Sequence, residues 1–93
     1  MHFVYILVSL KDRNFYVGSS RDIFIRFKQH NDGTVTSTRH RRPFVLMCYE
    51  AYLTKVEALR REKYLKTSDG RKELRIRLAT SIDKIGIHGG GIA

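Results

Sequence analysis

The sequence contains very few of the residues that cross-link or rigidify small extracellular domains. Among 93 residues it has a single cysteine, Cys48, a single proline, Pro43, and no tryptophan. One thiol cannot form an intrachain disulfide, so we expect a reducing, cytoplasmic setting. The lone cysteine and the scattered histidines also lack the spacing of a zinc site.

Long apolar segments are absent as well. The longest apolar run, from Phe3 to Val8, is far too short to cross a bilayer, and no long helix pairs a basic face with an apolar one. We therefore expect no membrane partner. The length suits one domain, which we place at residues 1–80, and we expect the glycine-rich segment 81–93 to be a disordered tail.

Acidic residues are scarce relative to basic ones. The chain has 18 Lys+Arg against 9 Asp+Glu, which gives a formal charge of +9. A positive field of this size on a small domain attracts polyanions. Nucleic acid is therefore the expected partner, although a basic protein without a polyanion partner would have the same composition.

Two short hydrophobic segments predict a β-hairpin. The first runs from Phe3 to Val8 and contains Tyr5, and the second runs from Phe15 to Gly18 and contains Tyr16. Aromatic and β-branched residues on both sides of a polar turn are typical of paired strands. The hairpin would bring together two phenolic hydroxyls, which can donate and accept hydrogen bonds.

A helix is expected after the hairpin. Ser19 or Ser20 is a candidate N-cap, and the helix should run to about His30 and end near Gly33. Three apolar residues at helical spacing predict its buried face: Ile23, Phe24 and Phe27.

The remaining segments predict a third strand and two more helices. The continuous apolar run Phe44–Tyr49 is typical of a strand that is covered on both faces. Thr54 begins a capping-box pattern for a helix that extends to about Lys66. A break at 68–70 precedes the last expected helix, 71–79. The predicted order is β-β-α-β-α-α. This is an α+β (α/β) fold, with a small antiparallel or mixed three-stranded sheet flanked by about three helices.

Glu62 lies in the apolar stripe of the second helix. It shares a helix face with Ala58 and Leu65. Burial of an unpaired carboxylate is costly, so Glu62 should be paired, hydrogen-bonded or bound to a metal. A salt bridge with Arg26 or Lys66 remains open beside the metal site.

Arg26 and His30 are one turn apart on the first helix. A guanidinium suits phosphate oxygens, and a neutral imidazole can relay a proton or orient a water. Taken alone, each residue is better explained as a solvated arginine or a half-buried histidine. Tyr5 and Tyr16 could likewise be ordinary strand tyrosines.

Together these residues resemble the GIY-YIG endonuclease domain, especially its small stand-alone, single-domain members. The resemblance spans roughly Phe3 to Leu78. Phe3 stands in place of the name-giving glycine, and no lysine follows the second triplet. The matching segments are the triplets Phe3-Val4-Tyr5 and Tyr16-Val17-Gly18, the helix arginine Arg26, the ending His30-Asn31-Asp32-Gly33, and Glu62 with Leu65 and Lys66.

The resemblance implies a metal-dependent endonuclease that hydrolyses phosphodiester bonds in DNA, in repair or recombination. It implies one Mg²⁺ or Mn²⁺ at Glu62, a phosphate clamp at Arg26, and water-positioning roles for Tyr5 and Tyr16. His30 would assist the proton transfer. Five basic residues are expected to contact the nucleic-acid backbone: Arg39, Arg41, Arg42, Lys63 and Lys66.

Two other classes of function stay open. A non-catalytic nucleic-acid-binding module, or a basic subunit of a larger assembly, would also explain the +9 charge. A protein–protein adaptor would leave the aligned polar residues without a role. We expect a monomer, and the resemblance leaves room for a separate targeting partner because the chain is too short for a second domain.

Overall fold

The computed structural model describes residues 1–86 and contains one three-stranded antiparallel sheet, in the order β2-β1-β3. This confirms the predicted α+β class, with a fourth helix added. The elements are β1 (His2–Ser9), β2 (Phe15–Ser20), α1 (Ile23–Asp32), a 3₁₀ helix (Arg39–Arg41), β3 (Phe44–Tyr52), α2 (Lys55–Leu65), α3 (Ser68–Arg77) and α4 (Ala79–Ile85).

The central strand β1 divides the core in two because its side chains alternate between the faces of the sheet. Val4, Ile6 and Val8 pack with residues of α2, α3 and α4, whereas Tyr5 and Leu7 form a second cluster with residues of α1 and β3. Both clusters are buried. The hairpin thus places the tyrosines on the α1 face of the sheet.

The third strand differs from its expected environment. β3 is an edge strand, longer than predicted, and most of its residues are only partly buried. The strand covered on both faces is β1 instead. An apolar run indicates that a strand is buried, but only the pairing of all three strands decides which one is central.

The first helix begins at a different cap from the one expected. Ser19 and Ser20 belong to β2, and the carboxylate of Asp22 accepts the Phe24 and Ile25 N–H groups. Gly33, at φ 82°, ends the helix as predicted. Phe24 does not pack in the core: its side chain is 68% exposed.

The second and third helices meet at Thr67. Thr54 caps α2 by accepting the Glu57 N–H, which confirms that start. The predicted break at 68–70 is wrong, because Thr67 caps α3 and those residues form its first turn. A Cβ on Gly70 would lie 2.5 Å from Leu65 Cα, so the two helices approach too closely there for a side chain.

The expected tail begins with an ordered helix. α4 covers Ala79–Ile85 and buries Ile82 in the larger core cluster, so residues 81–85 differ from the disorder expected of them. Residues 87–93, on which the rest of that prediction falls, lie outside the described residues. Within residues 1–86, none of the helices has the length and apolar character that a bilayer-crossing segment needs.

Candidate functional site

A buried chain of hydrogen bonds joins Tyr5 to His30 and Thr38. The Tyr5 hydroxyl lies 3.0 Å from His30 Nε2, and His30 Nδ1 lies 2.8 Å from Thr38 Oγ1. All three residues are at most 2% exposed. The Thr38 hydroxyl reaches the Val35 carbonyl oxygen at 3.5 Å. The chain therefore runs from β1 through α1 into the 34–38 connector.

The donor and the acceptor of each hydrogen bond in this series follow from the bond between Thr38 and the Val35 carbonyl. A hydroxyl that donates to the Val35 carbonyl leaves its oxygen free to accept from His30 Nδ1–H. In a neutral imidazole, Nε2 is then an acceptor, and the Tyr5 hydroxyl donates to it. The Thr38 bond thus favours the tautomer in which His30 Nε2 can receive the Tyr5 proton.

Burial keeps both ends of this pair neutral at pH 7. It raises the pKa of Tyr5 to about 12, although the nearby positive charge of Arg26 opposes the rise. Burial and the same charge lower the pKa of His30 to about 4. Tyr5 alone is therefore not a phenolate, and His30 is available as a proton acceptor.

Tyr16 and Arg26 border the pair. The Tyr16 ring centroid lies 4.9 Å from that of His30 and 6.3 Å from that of Tyr5. Arg26 is partly buried, and its Nη1 donates to Gln29 Oε1 at 3.1 Å. Gln29 therefore helps to orient a guanidinium that acts electrostatically on both Tyr5 and His30.

Gly18 leaves the space that the Tyr5 ring occupies. It pairs with Tyr5 across β1 and β2, so both residues face the same side of the sheet. A Cβ on Gly18 would lie 2.5 Å from Tyr5 Cζ and closer still to the hydroxyl oxygen. A glycine is thus required here for packing, and it fixes the ring over the edge strand.

We expect Gly18→Ala to displace the Tyr5 ring and to destabilise the domain by about 1–3 kcal/mol, as overpacking of a filled core does. Urea unfolding measures the loss, and the Tyr5–His30 hydrogen bond should weaken with it. The double variant Gly18→Ala/Tyr5→Leu, with a shorter side chain, should recover part of the stability. Equal costs of Gly18→Ala with and without the Tyr5 ring would contradict this packing account.

Glu62 faces β2 and has two partners. Its Oε1 accepts a hydrogen bond from Ser19 Oγ at 2.8 Å, and its Oε2 lies 2.8 Å from Lys66 Nζ. The side chain is 18% exposed. The Glu62 charge is close enough to contribute to the raised pKa of Tyr5. The rings of Tyr5, Tyr16 and His30 thus lie together, and Arg26 acts electrostatically on Tyr5 and His30. Glu62 contributes to this site only through its charge, and it forms the salt bridge to Lys66 that the sequence left open.

A network of charges sets the rotation of α2 that aims Glu62. Arg61, the preceding residue, donates to Glu50 on β3 at 2.9 Å and also binds Glu73 on α3. Arg77 reaches both carboxylates at 3.2 Å. Because neighbouring helix residues point in different directions, anchoring Arg61 toward β3 and α3 leaves Glu62 directed at β2.

The oxygen atoms of Glu62 and Ser19 suit a hard cation that keeps several water molecules as ligands. Glu62 and Ser19 supply a carboxylate and a hydroxyl at one point, and Mg²⁺ commonly binds through one or two carboxylates while it keeps several waters. Across residues 1–86 no cluster of three or more His, Cys, Asp or Glu side chains could enclose an ion. The residues thus fit one partly hydrated ion at Glu62 rather than a closed metal site.

Arg41 has a different environment from the one expected of a backbone-contacting residue. Its Nε lies 2.5 Å from Asp12 Oδ2, and its Nη2 donates to the Asn14 and Phe15 carbonyls at 3.3 Å. The guanidinium thereby ties the 3₁₀ helix to the hairpin turn. Its Nε and Nη2 are used within the fold, so the contact of Arg41 with phosphate stays a prediction that would depend on Nη1.

The other four predicted contact residues are exposed. Arg39 and Arg42 each donate from Nε to a backbone carbonyl, of Gly33 and Arg39 respectively. Lys66 pairs with Glu62, as described above, and Lys63 is in the last turn of α2. These side chains can reach a polyanion.

Sequence reasoning missed Thr38, Ser19 and Gln29 as parts of the site. Thr38 lies in a polar connector, where nothing in the local pattern marks a buried residue. Ser19 precedes α1 and so predicts a helix cap, but it belongs to β2 and donates to Glu62. Gln29 had a detectable signal, because it is three residues after Arg26 on the same helix, where side chains meet.

The chain belongs to the GIY-YIG family: the model described as the GIY-YIG catalytic domain matches residues 1–75. Within that family it is similar to UPF0213 proteins. Those of Staphylococcus aureus strains Mu3 and N315 are each 43% identical over 76 residues, covering 81% of this chain and 92% of theirs. The solution NMR structure of a UPF0213 protein from Bacillus halodurans is 39% identical, with a TM-score of 0.51 and 83% of each chain covered. The resemblance stated from the sequence is confirmed.

Proposed function

We propose that this protein is an endonuclease that hydrolyses phosphodiester bonds in DNA with one Mg²⁺ or Mn²⁺ held at Glu62. The observation that carries the proposal is the Tyr5–His30 hydrogen bond of 3.0 Å, within the electrostatic reach of Arg26. A phenol that donates to a neutral imidazole is arranged for proton transfer. The family match, to a catalytic domain, supports the same reading.

The proton route begins at the attacking water. Tyr5 accepts a proton from the water while its own hydroxyl proton passes to His30 Nε2, so the phenol never carries a full negative charge. This arrangement avoids the phenolate that the raised pKa of Tyr5 disfavours. The phosphate charge would also offset that of Arg26, which raises the pKa of His30 when substrate is bound.

Arg26 and Tyr16 act on the phosphate. The guanidinium, held by Gln29, binds a non-bridging oxygen as negative charge builds there. Tyr16, half-buried beside His30, orients the water or the phosphate with its hydroxyl. The phosphorus–oxygen bond to the leaving group breaks opposite the entering hydroxide.

Glu62 and Ser19 would hold the metal, which would supply positive charge to the phosphate and the departing oxyanion. Lys66, paired with Glu62 and half-exposed, can also contact a neighbouring phosphate. Arg39, Arg42 and Lys63 contact the DNA backbone without reading bases. We place this activity in the cytoplasm, which is consistent with the single thiol. We propose that the protein acts as a monomer, in repair or recombination.

The direct test is cleavage of supercoiled, single-stranded and branched DNA with Mg²⁺, with Mn²⁺ and with EDTA. We expect nicking with either ion and a loss of more than about 100-fold with EDTA, because the metal supplies several kcal/mol of charge stabilisation. Calcium in place of magnesium is the control for non-specific effects of a divalent ion on DNA. Nicking that persists unchanged in EDTA would rule out the metal assignment.

A non-catalytic nucleic-acid-binding module is the second candidate. The observation in its favour is that Ser19 and Lys66 already satisfy the Glu62 carboxylate. This candidate predicts salt-sensitive binding without nicking under any metal. Neutralising Arg39, Arg42 and Lys63 together should then make the slope of the log binding constant against log salt concentration shallower by about three.

A further inference from the structure

Beside the candidate active site, the same face of the sheet carries an aromatic hollow. Its volume is about 260 Å³, and Phe24 and Tyr49 at its edge are 68% and 49% exposed. The lining residues are Phe3, Arg21, Asp22, Ile23, Phe24 and Tyr49. Large aromatic side chains exposed around a concavity are typical of a binding site. The volume is slightly below the ~300–1,000 Å³ that is typical of small-molecule sites, so it suits a single flat group.

The strand register fixes the position of this hollow relative to Tyr5. Phe3 is two residues before Tyr5 on β1, so both face α1 at a spacing of about 7 Å. Tyr49 is the β3 partner of Tyr5, and its ring meets that of Phe3 edge-on with centroids 5.9 Å apart. A stacked nucleic-acid strand rises about 3.4 Å per nucleotide, so the spacing of Phe3 and Tyr5 corresponds to about two nucleotides.

A second, cationic hollow adjoins the first. It has a volume of about 310 Å³ and is lined by Met1, His2, Arg21, Leu53 and Lys55. Arg21 lines both hollows and is exposed, as is Lys55. An apolar ring surface next to two cationic side chains matches the two halves of a nucleotide, the base and the phosphate.

We propose that the paired hollows bind one unpaired nucleotide of the substrate strand, with the base stacked on Phe24 and Tyr49 and the phosphate at Arg21 and Lys55. The proposal rests on the proposed function, because it supplies the neighbouring subsite for the strand that enters the active site. The Asp22 carboxylate already accepts two backbone N–H groups at the start of α1. Stacking therefore dominates, and every base should be accepted.

The test is binding by fluorescence anisotropy in EDTA, with a labelled oligothymidylate and an abasic strand of equal length and charge. The wild-type protein should bind the thymidine strand about 10-fold more tightly than the abasic strand, as expected for stacking on aromatic side chains. Phe24→Ala/Tyr49→Ala should reduce that ratio to about 1–2-fold and leave abasic binding unchanged. Arg21→Ala should weaken both strands and lower the salt slope by about one.

Two exposed residues outside both hollows serve as matched controls: Ile25→Ala on α1 and Arg71→Ala on α3 should each keep the wild-type thymidine-to-abasic ratio. Equal wild-type affinities for the two strands would overturn the proposal, and so would a double variant that weakens both strands equally. If the double variant elutes at a different volume from the wild type in the absence of DNA, the two aromatic side chains form a self-association surface instead. Because this experiment measures binding and not cleavage, its outcome is independent of the nicking result.

Discussion

Glu62→Gln should reduce nicking of supercoiled DNA by about 10³-fold or more, because it removes the negative charge that we propose holds a metal beside the phosphate. The amide keeps the shape of the side chain and can still accept from Ser19 Oγ. Of the two contacts of Glu62, only the salt bridge with Lys66, whose side chain is 51% exposed, loses its charge attraction. An exposed pair of this kind contributes under about 1 kcal/mol, so the fold should remain. Rates of plasmid nicking with Mg²⁺ and Mn²⁺, beside thermal unfolding, measure both effects.

The matched control for Glu62→Gln is Glu57→Gln on the same helix. Glu57 is exposed and bonds to the cap residue Thr54, and a glutamine preserves that contact. Its nicking rate should equal that of the wild type. Wild-type nicking by Glu62→Gln would refute the metal assignment. An unfolded Glu62→Gln protein would show instead that the carboxylate is chiefly structural.

The sequence was sufficient for the features that depend on local pattern. The hairpin, the Gly33 end of α1 and the Thr54 start of α2 each follow from residue types at fixed spacing. Tyr5 and Glu62 are candidates from their places in a strand and in the apolar stripe of a helix, and the family resemblance links them although they are distant along the chain. The contact of Glu62 with Ser19 on β2 depends instead on how α2 packs against the sheet.

The remaining features depend on contacts that no local pattern encodes. Thr38 is buried only because the connector folds back onto His30, and Arg41 is withdrawn from solvent only because Asp12 faces it across the hairpin turn. Gly70 resembled a helix breaker because its need for close helix contact is visible only in three dimensions. The polar contacts of Thr38 and Arg41 are thus set by tertiary packing and not by the local sequence.

Stability should fall as the pH decreases from about 6.5 toward 4, because the buried His30 resists protonation until its folded pKa of about 4 while the unfolded chain binds a proton near 6.5. The neutral form favours folding, so its contribution is complete above pH 6.5 and is lost below it. Between pH 7 and 5 the loss should be roughly 2 kcal/mol by linkage. Urea unfolding followed by circular dichroism at several pH values measures it. The partly buried acids Asp12 and Glu50, whose pKa values are lowered, lose their contributions mainly at more acidic pH.

His30→Gln should remove this dependence, since a glutamine can hydrogen-bond the Tyr5 hydroxyl but cannot titrate. The exposed His40 provides the matched control, because His40→Gln should keep the full slope between pH 7 and 5. A slope that persists in His30→Gln would contradict a neutral, buried imidazole. The same neutral imidazole is what the Tyr5 proton requires as its acceptor. The stability profile therefore tests the proton route without any measurement of cleavage.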